Sequence, residues 1–260
     1  MLETACEYVI RALDMGFDIK VIDIGGGLAI NYVASQKEWN SYVSTLKESL
    51  LNPEMDSMSW QNSGLGFWAE DGKIRGGANF SDFYISHTPA EQLSGFLGLQ
   101  LNNLGVSFGQ FLSENGITIF IEPGRALVEQ AGVTVAKVLY QKQTESGETL
   151  IVCDMNRSNL NSQDMEYMCD PIVLNKEKRN RGGGFLVGNL CLPHDFLTRR
   201  KIYFPSLPDE GDLIVFPNTA GYLMDFSESH TLRQPIAKKI ALKHDKNKFS
   251  YYEDDKYPVI

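Results

Sequence analysis

Apolar residues recur at helical spacing over residues 3–15, with Ala5, Tyr8, Val9, Ala12 and Leu13 on one face, and Gly16 stops the run. The β-branched stretch Val21-Ile22-Asp23-Ile24 then predicts a strand over 20–24. A second helix is predicted over 36–51, where Trp39, Tyr42, Val43, Leu46 and Leu50 share a face. Residues 89–114 carry helical spacing in two pieces, and 117–121 (Ile-Thr-Ile-Phe-Ile) reads as a strand. Between 52 and 88 the pattern lapses into Gly, Asn, Ser and aromatics, which predicts either a functional lid or short strands.

Helices alternating with strands predict βα units around a parallel sheet or barrel. Beyond residue 130 the pattern changes. Residues 132–140, 149–153, 184–188, 201–204 and 212–217 are short strand candidates separated by turns, an all-β pattern. Residues 243–260 are charged and aromatic and read as a last strand plus a tail. The expected division is therefore 1–130, built of βα units, and 131–260, mainly β, with the last residues returning to the first part.

Composition narrows the class. A chain of 260 residues with 43% hydrophobic and 22% charged residues is ordinary for a soluble globular protein. A net charge of −9 argues against nonspecific nucleic-acid binding and for a cytoplasmic protein. No apolar run reaches the roughly 18 residues of a membrane span, and the N-terminal residues do not resemble a signal peptide. Cys6, Cys153, Cys169 and Cys191 are scattered with no C-x-x-C pair, so no metal site is expected, and a reducing compartment fits.

Four segments can carry chemistry. Gly25-Gly26-Gly27 closes the first strand; it is either a structural turn or an anion-binding loop of bare N–H groups. It matches neither G-x-G-x-x-G nor the P-loop. Glu122-Pro123-Gly124-Arg125 stands at the end of an apolar strand, where α/β barrels keep their active sites, though a helix-capping ion pair reads the same way. Arg125 suits a phosphate, and a carboxylate such as Glu122 can hold a protonated ring nitrogen. Gly188 to Asp195 contains Cys191 and His194, by default a buried hydrophobe and a turn residue. Gly211-Asp212-Leu213 leads into a strand and then Asn218-Thr219-Ala220-Gly221-Tyr222.

Taken in order, D-x-G-G-G (Asp23–Gly27), E-P-G-R (Glu122–Arg125), G-x-x-C-x-x-x-D (Gly188, Cys191, Asp195) and G-D-L with a later Ala220-Gly221-Tyr222 resemble a known family. It is the pyridoxal-phosphate-dependent ornithine/diaminopimelate/arginine decarboxylases of alanine-racemase-like fold. The likeness runs from about residue 3 to 240 and is nearest the Y4yA-like branch. The resemblance implies an α/β plus β fold: the C-terminal part of a (β/α)8 barrel followed by a β-domain of the decarboxylase C-terminal type. It implies pyridoxal 5′-phosphate as cofactor, held by Gly25, Gly26, Gly27, Glu122, Gly124, Arg125 and Tyr222. Glu122 pairs with the ring nitrogen, and Arg125 and Tyr222 lie at the phosphate. Cys191 and Asp195 are the implied catalytic pair: Cys191 lies near the substrate α-carbon, and Asp195 supports its loop. In relatives the cysteine comes from a partner subunit, so a homodimer is implied.

Two departures qualify this likeness. Many relatives carry an acidic residue after the cysteine that reads the distal end of the substrate; here it is Leu192. The family's Schiff-base lysine and its ring-stacking histidine lie upstream of the triple glycine, and Lys20 does not match the lysine motif. The expectation is an N-terminally truncated decarboxylase-like enzyme for an amino acid or related amine. It is inactive alone and needs a second copy or a complementary N-terminal fragment. The alternative is a noncatalytic regulatory or partner-binding relative.

Overall fold

The computed structural model describes residues 2–79, 84–160, 166–224, 233–246 and 248–254. The chain folds as two compact units. The first comprises Met1–Val133, Met168–Asp170 and Phe216–Gly221; the second comprises Thr134–Tyr167, Pro171–Val215 and Tyr222–Ile260.

In the first unit, α1 (Leu2–Asp14) leads into β1 (Val21–Asp23), and α4 (Phe108–Glu114) leads into β6 (Thr118–Phe120). The two strands pair in parallel, with Ile22 opposite Ile119. Cys6, Val9, Ile22, Phe108, Phe111 and Ile117 form a buried cluster, with Ile119 packed against it. The helices therefore cover one face of the strand pair, while Phe120 on the other face is 54% exposed. The buried stripe of α1 is not the expected one. Leu2, Cys6, Val9, Ile10 and Leu13 face the core, and Tyr8 is 63% exposed. Cys6, acting as a small hydrophobe, rotates the apolar face away from Tyr8.

Between β1 and β6 run α2 (Gln36–Leu51), the hairpin β2 (Phe67–Glu70) and β3 (Lys73–Gly76), α3 (Pro89–Gly98), and the short pair β4 (Gln100–Leu101) and β5 (Val106–Ser107). α2 buries Leu46 against Leu65 and Phe67, and Trp39 against Met168. The 52–88 segment holds short strands among its described residues. The β2–β3 turn is Asp71-Gly72, both at positive φ (50° and 68°), the hairpin dipeptide that fits strand twist. Residues 80–83 of that segment lie outside the described residues.

α3 begins with a capping box: the Thr88 hydroxyl accepts from Glu91 N, and the Glu91 carboxylate accepts from Thr88 N at 2.7 Å. A Thr88→Ala chain is expected to lose about 1 kcal/mol in urea unfolding, read by tryptophan fluorescence. No measurable loss would mean that the cap contributes nothing.

The second unit is built on a six-stranded mixed sheet in the order β11-β10-β8-β7-β12-β9. Its strands are β7 (Val133–Gln143), β8 (Thr149–Cys153), β9 (Ile172–Leu174), β10 (Gly182–Val187), β11 (Ile202–Phe204) and β12 (Leu213–Pro217), of which Val133, Phe216 and Pro217 belong to the first unit. β8 and β10 run parallel, and the β7–β8, β10–β11 and β9–β12 pairs are antiparallel. β9 escapes the sequence pattern because three residues show no alternation. β13 (Ile240–Asp245) and β14 (Lys248–Glu253) form a hairpin where one strand was expected, and residues 255–260 of the expected tail lie outside the described residues. No helix among the described residues is long and apolar enough to cross a membrane.

Candidate active site

Both parallel strands of the first unit release their chains at the same end. Pairing continues one step into each loop: Ile24 N donates to Phe120 O at 3.1 Å, and Glu122 N donates to Gly25 O at 2.7 Å. Those two bonds lay Gly25–Gly27 alongside Glu122. The three glycines have two physical reasons between them. Gly25 and Gly27 sit at φ +70° and +89°, which side chains with a Cβ rarely adopt. A Cβ on Gly26 would overlap the Glu122 carbonyl oxygen. Asp23 belongs to the same device, since its carboxylate accepts from Gly25 N at 2.8 Å. Nothing lies within 4 Å of where a Cβ on Gly25 or Gly27 would stand. Among the described residues, no group accepts from Gly26 N or Gly27 N. Two adjacent N–H groups on an open strand-end loop are a pair of donors of the kind that can receive an anion.

Gly124 opens the short 3-10 turn Gly124–Val128 after Pro123, and Arg125 lies in it. Arg125 Nη1 donates to the Tyr32 hydroxyl at 2.5 Å, and its guanidinium carbon is 5.5 Å from the Tyr32 ring centroid. Gly221 packs on Arg125: a Cβ there would stand 3.4 Å from Arg125 Cα. The loop after the glycines is tied down residue by residue. Gln92 exchanges two hydrogen bonds with Ala29, at 3.0 and 2.9 Å. Asn31 N donates to Glu129 at 3.3 Å, and Asn31 Oδ1 accepts from Ile85 N at 2.7 Å. Cys169 Sγ donates to Tyr32 O at 3.5 Å. Burial pushes the Tyr32 phenol up from its ordinary value, against the opposing pull of Arg125. Sequence reading missed Tyr32, Gln92 and Glu129; a tyrosine and a glutamine inside loops and caps give no periodic signal.

Cys191 and Asp195 lie together in the second unit. Asp195 is buried, and its carboxylate accepts from Arg157 N at 2.8 Å and Leu190 N at 2.9 Å. A Cβ on Gly188 would overlap that carboxylate, which explains the glycine that opens the motif. Gln234 bridges Asn156 and Asn189 at 3.0 and 2.5 Å, bracing the start of the same loop. Cys191 is exposed on this frame, whereas Cys6, Cys153 and Cys169 are free and buried. Burial pushes the Cys153 thiol up to about 12, so it is inert. Leu192 is exposed beside Cys191. Tyr222 is exposed at φ +67° and opens the last segment of the second unit, directly after Gly221. Lys20, the one lysine near the glycine loop in sequence, is exposed and pairs with Asp18 at 2.6 Å.

These residues fit pyridoxal phosphate at the points the first unit defines. The open Gly26 and Gly27 N–H groups suit its phosphate, and a carboxylate at the neighbouring strand end suits its protonated ring nitrogen. Among the described residues, no group of three or more His, Cys, Asp or Glu could hold a metal ion.

The chain is 29% identical over 252 residues to the uncharacterized protein y4yA of Sinorhizobium fredii, covering 94% of this chain and 50% of that protein. It is 33% identical over 129 residues to the L-glutamyl-[BtrI acyl-carrier protein] decarboxylase of Niallia circulans, covering 45% of this chain and 29% of that one. The crystal structure of diaminopimelate decarboxylase from Helicobacter pylori complexed with L-lysine shares its fold, with a TM-score of 0.55 at 16% identity over 96% of this chain and 45% of that one. The chain thus spans half or less of the length of these relatives. Residues 9–220 match the family described as pyridoxal-dependent decarboxylase, C-terminal sheet domain, and the chain belongs to that family of pyridoxal-dependent decarboxylases.

Proposed function

We infer that this chain contributes the phosphate-holding loops and the sheet domain of a decarboxylase acting on an amino acid or related amine. The observation that carries this reading is the hydrogen-bonded juxtaposition of Gly25–Gly27 and Glu122 at the ends of two parallel strands. When bound, pyridoxal phosphate supplies an electron sink for the pair left on the α-carbon as carbon dioxide departs. Gly26 N, Gly27 N, Arg125 and Tyr222 hold the phosphate, with Gly124 shaping the turn. Glu122 keeps a proton on the ring nitrogen. Cys191 delivers a proton to the α-carbon. Asp195 acts through the loop, as a positioning residue for Cys191.

Leu192 offers no partner to a distal ammonium, so the substrate's far end is apolar or carries no cation. The glutamyl group named for the Niallia circulans relative has that property; the lysine of the Helicobacter pylori complex does not. Lys20 is engaged with Asp18, and no other lysine matches the family's Schiff-base position. The residues named above therefore hold the cofactor without attaching it covalently. Three buried free cysteines and a net charge of −9 fit the cytoplasm.

The test is titration of the chain with pyridoxal phosphate, followed by borohydride and mass spectrometry. Saturable binding that Glu122→Ala weakens, with no mass gain on lysine, is expected. Absence of binding would overturn the cofactor assignment, and a reduced lysine adduct would overturn the noncovalent reading.

A further inference from the structure

We propose that Tyr32 is a positioning residue for Arg125, and that the pair closes the outer rim of the phosphate cradle. The proposal rests on the cofactor reading above and adds a residue to it. Two segments make the cradle, 25–32 from β1 and 122–125 from β6, and they are tied together at both ends. The near tie is Glu122 N to Gly25 O at 2.7 Å, and the far tie is Arg125 Nη1 to Tyr32 Oη at 2.5 Å. Gly26 and Gly27, whose N–H groups face no described acceptor, lie between the two ties. Arg125 is thus fixed at the rim of an anion site.

Four features suit Tyr32 to this task better than a generic packing residue. Its hydroxyl takes one of five guanidinium donors, which fixes the direction of that N–H and narrows the orientations open to the planar fork. Its ring lies 5.5 Å from the guanidinium carbon, within cation–π range, which limits arginine rotation from a second direction. It is itself held: Asn31 N is bonded to Glu129, Tyr32 O accepts from Cys169, and its side chain packs against the cluster of Trp39 and Met168. Burial keeps the phenol neutral, so it offers a lone pair to Arg125 without a negative charge that would compete with the phosphate. An arginine ordered in advance loses less side-chain entropy on binding an anion.

The experiment compares pyridoxal phosphate with pyridoxal, which lacks the phosphate, on the full chain by calorimetric titration. Wild type is expected to prefer the phosphorylated ligand. Tyr32→Phe, which keeps the ring and the fold, is expected to reduce that preference by about tenfold through the phosphorylated ligand alone. Arg125→Met is expected to reduce it at least as far, and the double variant no further. Equal weakening of both ligands by Tyr32→Phe would make Tyr32 merely structural and overturn the proposal. An unchanged preference, or additive losses in the double variant, would overturn it too. A wild-type chain with no preference for the phosphorylated ligand would instead bring down the phosphate-site reading itself, and the proposal with it.

Discussion

A Gly26→Ala chain is expected to be less stable than wild type by about 1–3 kcal/mol and to lose measurable affinity for pyridoxal phosphate. The added Cβ would overlap the Glu122 carbonyl oxygen, a backbone atom that no rotamer change can move. Relief requires the 25–27 and 122–125 segments to part, which breaks the Glu122 N to Gly25 O bond and moves the Glu122 carboxylate. Gly25→Ala and Gly27→Ala create no overlap, because nothing lies within 4 Å of the new Cβ. Each meets only the left-handed φ penalty, about 1 kcal/mol, so Gly26→Ala should be the most damaging of the three for binding. Trp39, Trp60 and Trp68 all lie in the first unit, so tryptophan fluorescence during urea unfolding reads its stability directly. Three equal losses would mean that the loop is chosen for flexibility alone, and the close-approach argument would fall.

This loop also marks how far the chain could be read before its fold was known. The helices at 36–51 and within 89–114, the strands that end in glycine and in Glu122-Pro123, and most strands beyond 130 were legible because period and punctuation coincide there. The α1 face departs from its periodicity because Tyr8 counts as apolar there yet stays exposed, while the small Cys6 is buried. The Asp71-Gly72 dipeptide carries a hairpin signal, which the glycines around it blur. Tyr32 and Gln92 could not be read at all: their partners, Arg125 and Ala29, stand 93 and 63 positions away. The glycines were legible as a motif but not as two separate causes, since a close backbone approach depends on the second strand.

Asp212 illustrates the same limit with a larger energetic consequence, and Asp212→Ala is expected to destabilise the second unit by about 3–5 kcal/mol. In sequence it is the middle of a Gly-Asp-Leu turn. In the structure its carboxylate is wholly buried and accepts from Lys176 N at 2.8 Å, Asp209 N at 2.9 Å, Asn175 Nδ2 at 3.0 Å and Arg179 Nη1 at 2.6 Å. Its carbonyl accepts from Val138 N at 2.8 Å. One side chain thus joins the loop after β9 to the turn before β12, and alanine would leave its donors without an acceptor. Burial alone would raise the carboxyl pKa, but the hydrogen bonds from Lys176, Asp209, Asn175 and Arg179 outweigh it and hold the group below its ordinary value. A depressed folded-state value contributes stability above the unfolded value near pH 4, and that contribution is lost as pH falls through the folded value. Wild type should therefore weaken below about pH 4, whereas Asp212→Asn, which cannot titrate, should start less stable and lack this component of acid loss. Circular dichroism of the β-rich unit should register the change while tryptophan fluorescence, confined to the first unit, follows it less. An Asp212→Ala chain within about 0.5 kcal/mol of wild type would show that the four donors find water as readily as the carboxylate, and would remove Asp212 as the organiser of this sheet.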